Sequence, residues 1–397
     1  MQKNSLFSNA LLWFGAAVSV AEIETGTLMA GFVSAQDGNS LARTVGAIVA
    51  GHVVGGLLFF LCAAVCARQG VNAMASQIRH YGSAGAKFFA GVNILQLVGW
   101  TAVMIAQGAA ASAALFKNSS QGMFALMCVV IGVMVALWLW CGAGEAVRLN
   151  GLAVGLLFVM VIVLSVRLVA QCAGASAAAP AGEFSFWAAF ELSAAMPLSW
   201  LPLAGDYVRN AEKPMRSAAV SAAVYTFGST WMYLIGLFAA LYLGTANVTA
   251  IFAGFGLFGI ALAVVVLSTV TTTFLDAWSA GESATTVSGK IRPTCFSLAV
   301  TGLGILLAIF GIMDRLMNFL YFIASVFAPM AAVQIFDYFV CGERRNTGTK
   351  IVNCIGWLAG FGVYHACLHY ACPFGATFPA MLSAAAMPLV YRLFCRK

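Results

Sequence analysis

Charged side chains are scarce in this chain. Asp, Glu, Lys and Arg make up 8% of its 397 residues, whereas hydrophobic residues make up 62%. A globule of this size needs more polar surface than that to stay dissolved, so the composition excludes a soluble protein. Long hydrophilic stretches are also lacking, since the longest run to about ten residues. Their absence excludes a separate soluble domain.

Residue types that bind transition metals are placed without the partners they need. Cys62 and Cys66 lie on an apolar segment without a nearby His, and His365 and His369 have no acidic neighbour. The spacing of each pair is compatible with a metal, but buried thiols and imidazoles in such surroundings are more often part of the packing. We therefore predict no cofactor.

Apolar segments long enough to span a bilayer recur along the whole chain. A transmembrane helix needs about 20 apolar residues to cross about 30 Å of hydrocarbon. About twelve such segments can be placed, which predicts an all-α integral membrane protein. They lie near residues 11–33, 45–67, 84–115, 122–144, 149–171, 184–205, 217–244, 252–281, 294–313, 316–340, 350–370 and 376–393. The first is too long and, with Glu22 and Glu24, too acidic for a cleaved signal peptide.

The basic residues predict the orientation of these spans, because short cytoplasmic loops are enriched in Lys and Arg. With twelve spans, all but four of the 20 Lys and Arg residues fall on one side of the membrane: Lys3, Arg68, Arg79, Lys87, Arg148, Arg209, Lys213, Arg216, Lys290, Arg292, Arg344, Arg345, Lys350, Arg392, Arg396 and Lys397. Arg43, Lys117, Arg167 and Arg315 fall on or near the other side. Both termini are therefore predicted to be cytoplasmic. The net charge of +7 follows from this topology, so no nucleic-acid partner is predicted.

Two spans carry residues that an uninterrupted membrane helix should not. The first contains Glu22 and Glu24, and the sixth contains Glu191, Pro197 and Pro202. An ionised side chain in hydrocarbon costs several kcal/mol, so such residues face water, a ligand or a partner. The two spans are five apart, as a five-plus-five inverted repeat requires. The alternative is that the prolines merely kink a continuous helix.

We therefore predict that helices 1 and 6 are discontinuous, which is typical of secondary transporters. The predicted units are inverted repeats over residues 9–171 and 184–340, within a ten-helix core over 1–340, and two peripheral helices over 341–397. A membrane-embedded enzyme is an alternative, because Glu22, Glu191 and Asp276 could serve as acid and base. A channel is another, although broken helices suit occlusion better than continuous conduction.

Polar residues form a stripe on span three. Asn93, Gln96, Trp100 and Gln107 share one helix face, which should point into the bundle. Buried amides often only join helices. A tryptophan at mid-depth is less usual, because tryptophan prefers the membrane interface. Trp100 is therefore predicted to offer a flat surface on which a planar ligand stacks.

Span eight carries a hydroxyl cluster followed by an acid. Ser268, Thr271 and Thr272 lie at i, i+3 and i+4, which places hydroxyl and carbonyl oxygens where a hard cation such as sodium could bind. Such hydroxyls also often bond back to their own helix. Asp276, one turn further on, could bind substrate, carry a proton or pair with a base.

Four segments in the same order resemble the nucleobase-cation symporter family, which includes the cytosine permeases. They are residues 21–26 (Ala-Glu-Ile-Glu-Thr-Gly), Gly99 with Trp100, residues 202–209 (Pro-Leu-Ala-Gly-Asp-Tyr-Val-Arg), and the Thr-rich span eight ending at Gly281. The acidic first span is most similar to the branch of putative hydroxymethylpyrimidine transporters known as CytX. The resemblance implies a LeuT-like fold, alternating access and the inner membrane of a bacterium.

The resemblance also implies site residues. The family's sodium site would use backbone oxygens of Gly15, Val18 and Ser268 and the hydroxyls of Thr271 and Thr272. The implied substrate contacts are Trp100, Ser19, Met196, Pro197, Ser199 and Thr273. Gln96, on the same face of span three as Trp100, is predicted to contact the substrate as well. Two positions depart from the family pattern, since Met104 replaces a glutamine and the span-six aromatic falls near Pro197.

Acidic residues take the place of those missing groups, which favours an aminopyrimidine as substrate. Such a ring offers an exocyclic amine and a basic ring nitrogen, to which one carboxylate can make two charge-assisted hydrogen bonds in a plane. Glu22, Glu191 and Asp276 are the candidates, and Glu22 is favoured because it directly follows the interrupted segment. The sequence thus predicts a symporter that imports hydroxymethylpyrimidine, driven by a sodium or proton gradient. A cytosine or purine permease is the alternative, and membrane lipid is the only other partner expected.

Overall fold

The computed structural model describes residues 5–34, 36–117, 120–172, 183–244, 258–312, 316–341 and 347–394. These residues form thirteen α-helices and no strand. The helices are α1 (Leu6–Ala17), α2 (Val20–Leu28), α3 (Ser40–Gln69), α4 (Ala73–Leu115), α5 (Gln121–Trp140), α6 (Gly142–Cys172), α7 (Phe186–Ser199), α8 (Pro214–Leu243), α9 (Phe258–Val287), α10 (Pro293–Ile309), α11 (Leu316–Phe336), α12 (Thr347–His369) and α13 (Thr377–Phe394). A 3₁₀ turn (Met29–Phe32) follows α2, and a π-helical turn (Asp337–Cys341) follows α11.

The order of these helices follows the predicted spans. Most predicted windows overlap one helix. The exceptions are the first window, which α1 and α2 share, the fourth, which contains α5 and the first residues of α6, and the sixth, which α7 shares with the turns after it. Within the described residues, seven helices are long and apolar enough to cross a membrane, and the bent pair of α1 and α2 supplies an eighth span. Some predicted positions lie outside the described residues: Lys3, Arg315, Arg344, Arg345, Arg396, Lys397 and the start of span eight at 252–257.

The first span is broken at Val18 and Ser19, as predicted. α1 ends at Ala17, and the chain bends by 48° before α2 continues toward Phe32. Ser19 has an extended backbone (φ −124°, ψ 157°), and its hydroxyl oxygen accepts a hydrogen bond of 3.2 Å from the Glu22 N–H. Because a serine caps the start of α2 in this way, the break is built into the sequence. The last carbonyls of α1 are left without intrahelical donors.

The sixth span is broken as well. α7 carries Pro197 in its last turn and ends at Ser199. Residues 200–210, called the turn segment below, continue as a series of tight turns, with hydrogen bonds from Leu203 N–H to the Trp200 carbonyl (3.1 Å) and from Asp206 N–H to the Leu203 carbonyl (3.0 Å). Proline has no N–H to donate, so regular helix geometry is not maintained through this region.

The third span starts close to its predicted boundary at residue 84. α4 runs from Ala73 to Leu115, but Gly82 lies inside it with φ +76° and ψ 177°. A residue with a side chain rarely adopts that conformation, so glycine is needed there. The short helix before Gly82 is thus separate from the long helix that carries Trp100.

A buried aromatic cluster joins the two broken spans. Trp13 of α1 is fully buried, and its ring meets four others edge-on. The ring centroids lie 4.7 Å from Phe59, 5.4 Å from Trp200, 5.7 Å from Tyr207 and 5.9 Å from Tyr225. These contacts bring α1, α3, α8 and the turn segment together. α4 packs along α9 beside them, so the breaks face α4 and α9.

Candidate functional site

A small cavity lies where the two breaks meet α4 and α9. Its lining residues are Ala16, Ser19, Ala21, Glu22, Trp100, Met104, Met196, Ser199, Trp200, Leu203, Thr272 and Asp276. The volume is about 20 Å³, which is room for about one water molecule. A planar heterocycle therefore fits only when the lining side chains move apart.

The structure brings most of the sequence-predicted site residues to this cavity. Those that line it are Ser19, Glu22, Trp100, Met104, Met196, Ser199, Thr272 and Asp276. Gln96 and Pro197 do not line it: the Gln96 amide donates to Asn93 Oδ1 (3.4 Å), and the Pro197 ring packs against Gly55 of α3. Thr273 is buried away from the cavity without a hydrogen-bond partner in the described part of the chain.

The cavity also has a second tryptophan, which was not predicted from the sequence. Trp200 follows the end of α7 directly and lines the cavity together with Trp100. Its indole N–H donates a 2.8 Å hydrogen bond to the Tyr225 hydroxyl, which fixes the ring. The family pattern puts the span-six aromatic near Pro197. The signal that could have found it is an aromatic residue just beyond a helix-breaking proline.

Two carboxyl groups face the cavity, and they differ in how their oxygens are used. Glu22 Oε1 accepts a hydrogen bond of 2.5 Å from the Tyr225 hydroxyl, and Glu22 Oε2 lies 2.6 Å from the Ser229 hydroxyl oxygen. Asp276 is buried and makes no hydrogen bond with any residue in the described ranges. Of the two carboxyl groups, the one whose oxygens are free for a ligand is therefore Asp276, although the sequence favoured Glu22.

The Thr271 hydroxyl of α9 lies at the contact between α9 and α1. A Cβ atom at Gly15 would lie 4.0 Å from the Thr271 hydroxyl oxygen, so the two helices touch there. The Thr271 hydroxyl donates to the Ser268 carbonyl (3.0 Å), whereas the buried Thr272 hydroxyl has no partner among the described residues. Hydroxyl and carbonyl oxygens are the kind of ligand that a hard cation takes.

On the side of the cavity away from α7, an ion pair and hydrogen bonds connect the turn segment to α9 and α4. Arg209 pairs with Glu282 of α9 at 2.5 Å, and the Tyr207 hydroxyl donates to the Leu275 carbonyl at 2.7 Å. Asp206 Oδ1 accepts a 2.8 Å hydrogen bond from the Ala73 N–H, at the start of α4. These contacts close the bundle on this side of the cavity.

The sequence matches the profile of a known protein family. A family profile described as permease for cytosine/purines, uracil, thiamine and allantoin matches residues 2–355. The chain belongs to this permease family. None of the curated proteins compared with the permease matches it.

Solved transporter structures share the fold of the permease. It is similar to Mhp1, a nucleobase-cation-symport-1 family transporter, in a closed conformation with bromovinylhydantoin bound (17% identity, 99% of this chain and 93% of that chain covered, TM-score 0.79). It is also similar to inward-facing Mhp1 (16% identity, 100% of this chain and 92% of that chain covered, TM-score 0.74). A Na⁺-coupled sialic acid symporter in a substrate-bound outward-open state is similar as well (10% identity, 98% of this chain and 90% of that chain covered, TM-score 0.73). The predicted LeuT-like fold is confirmed, and the protein is a transporter rather than an enzyme.

Glu191 of the permease lies away from the cavity, against the start of α13. Its Oε1 accepts hydrogen bonds from the backbone N–H groups of Ala376 (3.0 Å) and Thr377 (2.7 Å). Gly375 has φ +76°, and a side chain there would collide with the carboxylate. The structure thus places this predicted substrate residue at a helix N-terminus, where a negative charge is favourable.

Replacing Glu191 by Ala is expected to destabilise the permease without changing substrate affinity. The two buried N–H groups lose their acceptor, which costs about 1–3 kcal/mol. A lower apparent Tm in detergent would show this loss, and Glu212→Ala, an exposed carboxylate, is the control. A variant of normal stability with impaired substrate binding would instead support the substrate role predicted from the sequence.

Proposed function

We propose that this permease imports a pyrimidine base carrying an amino group, with hydroxymethylpyrimidine as the favoured substrate, by sodium-coupled alternating access. The observation that carries the proposal is the buried Asp276 carboxyl, which has no hydrogen-bond partner among the described residues, in a cavity lined by Trp100 and Trp200. Aromatic faces favour a planar ring. A carboxyl group matches an edge made of an exocyclic amine and a ring nitrogen.

The rest of the cavity wall fits a substituted pyrimidine. Met104 and Met196 are flexible and apolar, so they can adapt to a methyl or hydroxymethyl substituent. The Ser199 hydroxyl donates to the Met196 carbonyl at 2.7 Å, and its oxygen can still accept a hydrogen bond. Cytosine presents the same amine and ring nitrogen, which keeps a cytosine or purine permease as the second candidate.

The proposed ion site lies between α1 and α9. Sodium bound there would be held by the Thr271 and Thr272 hydroxyls and by the carbonyls of Gly15, Val18 and Ser268. The ion supplies positive charge at the C-terminal end of α1, where the helix dipole is negative. Because Ser19 and Ala16 beside this site also line the cavity, the two affinities are coupled reciprocally.

We further propose an orientation of the chain in the membrane and its division into a transporting core and a periphery. The distribution of Lys and Arg supports cytoplasmic termini in the inner membrane of a bacterium. On that orientation, the contacts of the turn segment with α9 close the cytoplasmic side. We infer that residues 1–340 form the transporting core and that α12 and α13, which pack on each other, lie at its periphery.

Uptake by purified permease in proteoliposomes tests the substrate. We expect an inward sodium gradient to drive accumulation of radiolabelled hydroxymethylpyrimidine. Unlabelled cytosine should compete more weakly, and uracil, which lacks the amino group, should compete least. A result in which uracil competes best, or in which no pyrimidine is accumulated, would overturn the proposal.

The variant Thr272→Ala tests the ion site. We expect the sodium concentration for half-maximal uptake to rise about tenfold, equivalent to about 1.4 kcal/mol, because an oxygen ligand is lost. Thr269→Ala is the matched control, since Thr269 lies on the same helix but contacts Gly108 of α4. Equal sodium dependence in the two variants would remove the support for this site.

A further inference from the structure

A fully buried histidine is joined to Glu22 through a single hydroxyl group. His52 of α3 has no exposed surface, and its Nε2 lies 2.7 Å from the Ser229 Oγ. The same Oγ lies 2.6 Å from Glu22 Oε2. On the other side of the ring, Nδ1 lies 2.6 Å from Ser193 Oγ and 3.0 Å from the Ile48 carbonyl oxygen. A continuous hydrogen-bonded chain thus leads from the cavity carboxylate to the imidazole and beyond it.

The position of Nδ1 decides which ring nitrogen carries the hydrogen. The Ile48 carbonyl cannot donate, so an unprotonated Nδ1 at 3.0 Å would place two lone pairs against each other. Nδ1 therefore carries a hydrogen, and the Ser193 hydroxyl donates to the same carbonyl at 2.6 Å. A neutral His52 must then accept a hydrogen bond at Nε2, for which Ser229 is the donor.

Ser229 has one hydroxyl hydrogen and two acceptors that need it. If Ser229 donates to Nε2, Glu22 has to be protonated and to donate to Ser229. If Ser229 donates to Glu22, His52 has to be doubly protonated. The two arrangements have the same total charge and differ by the shift of one proton along the chain. Without that proton, an ionised carboxylate and a bare ring nitrogen would compete for one hydrogen in a buried site, which is strongly unfavourable.

We propose that Glu22, Ser229 and His52 form a proton-binding site beside the substrate cavity, and that its proton is taken up and released during transport. The role in transport rests on the proposed function, whereas the proton site itself rests on the hydrogen-bond geometry alone. This site would act in addition to the sodium site between α1 and α9.

The location of the three groups explains how the proton would respond to movement. Glu22 lies on α2, directly after the break of the first span, His52 lies on α3 and Ser229 lies on α8. α3 is pressed against α7, since a Cβ atom at Gly51 would lie 2.7 Å from the Ser193 Oγ. A movement of α2 away from α3 and α8 separates Glu22 from Ser229, interrupts the chain and leaves the carboxyl group facing the cavity.

Other titratable groups surround the site. From α8, the Tyr225 hydroxyl donates to Glu22, and the Tyr233 ring meets the His52 ring edge-on at 4.6 Å. From α9, Asp276 lines the same cavity as Glu22. Glu24 is bonded to Gln107 of α4, and Glu191 of α7 is bonded to the start of α13. Asp276 is the group among these that would sense the charge of Glu22 across the cavity.

Nuclear magnetic resonance of protein labelled with ¹⁵N-histidine tests the proton site without any substrate. The chain has four histidines, so the His52 signals can be assigned with His52→Gln. We expect a protonated Nδ1 in the wild type and a change at Nε2 in Ser229→Ala. Glu22→Gln should hold His52 neutral, because the amide donates to Ser229 permanently. Ser221→Ala is the control, since this buried serine on α8 has no hydrogen-bond partner in the described residues.

An unprotonated Nδ1 in the wild type would overturn the proton site, as would a His52 signal that Ser229→Ala leaves unchanged. Transport is then measured with hydroxymethylpyrimidine in proteoliposomes at equal sodium on both sides. A proton gradient should drive accumulation by the wild type and Ser221→Ala, and this part should be lost in Ser229→Ala and His52→Gln. No response of the wild type to the proton gradient, with sodium-driven uptake intact, would refute the coupling. Failure of all uptake would refute the proposed function and leave the magnetic resonance result standing.

Discussion

Replacing Asp276 by Ala is expected to raise the KM for an aminopyrimidine about 100-fold. The two in-plane hydrogen bonds proposed for this carboxyl group involve a charged or strongly polar partner, and each contributes about 1.5 kcal/mol. Because Asp276 has no hydrogen bond within the described protein, its removal should disturb the fold little. Radiolabelled uptake over a range of substrate concentrations measures the effect.

Two further variants make the Asp276 result specific. Asp276→Asn keeps one donor and one acceptor at the same place, so its KM should lie between those of the wild type and Asp276→Ala. Glu24→Ala removes a carboxylate that accepts from Gln107 instead of facing the cavity, and it should keep the wild-type KM. A normal KM in Asp276→Ala would show that another group recognises the substrate.

Replacing Trp100 by Ala is expected to lower substrate affinity about tenfold to 100-fold. Stacking of a base on an aromatic side chain contributes about 1–3 kcal/mol. The Trp100 ring is held edge-on against Phe319 at 6.0 Å, so it is oriented before a ligand arrives. Binding of labelled hydroxymethylpyrimidine to the purified permease measures this loss directly.

The controls for Trp100 separate stacking from packing. Trp100→Phe retains an aromatic face and should keep most of the affinity. Trp140→Ala removes a tryptophan at the exposed end of α5 and should leave the affinity unchanged. If Trp100→Phe loses as much affinity as Trp100→Ala, shape at this position matters more than stacking.

The broken helices could be predicted from the sequence because their causes are local. A proline interrupts regular backbone hydrogen bonding wherever it lies in a helix, and Pro197 does so near the end of α7. Ser19 followed by Glu22 matches the start of a new helix, and small residues precede it. The same locality explains why Trp100, Thr272 and Asp276 were predicted to face the bundle interior. Trp100 belongs to the polar stripe of span three, and Thr272 and Asp276 belong to the hydroxyl-rich segment of span eight.

Contacts between distant segments could not be predicted in this way. Glu191 was assigned to the substrate because a carboxylate in a span suggests a ligand, but its partner is the backbone of Ala376 and Thr377. Nearly every residue has a backbone N–H, so the sequence does not show which of these groups will contact a carboxylate. His52 and Ser229 are single polar residues on two long apolar helices, and only packing places them beside Glu22.

The turn segment connects the cavity to the ion pair on the far side of the bundle. Trp200 lies at one end of it, in the wall of the cavity, and Arg209 lies at the other end, paired with Glu282. Short-range backbone hydrogen bonds restrain the residues between them, so we expect the segment to move as one unit. We therefore expect a ligand that displaces Trp200 to weaken the Arg209–Glu282 ion pair as well, so that occupancy of the cavity favours separation of the turn segment from α9.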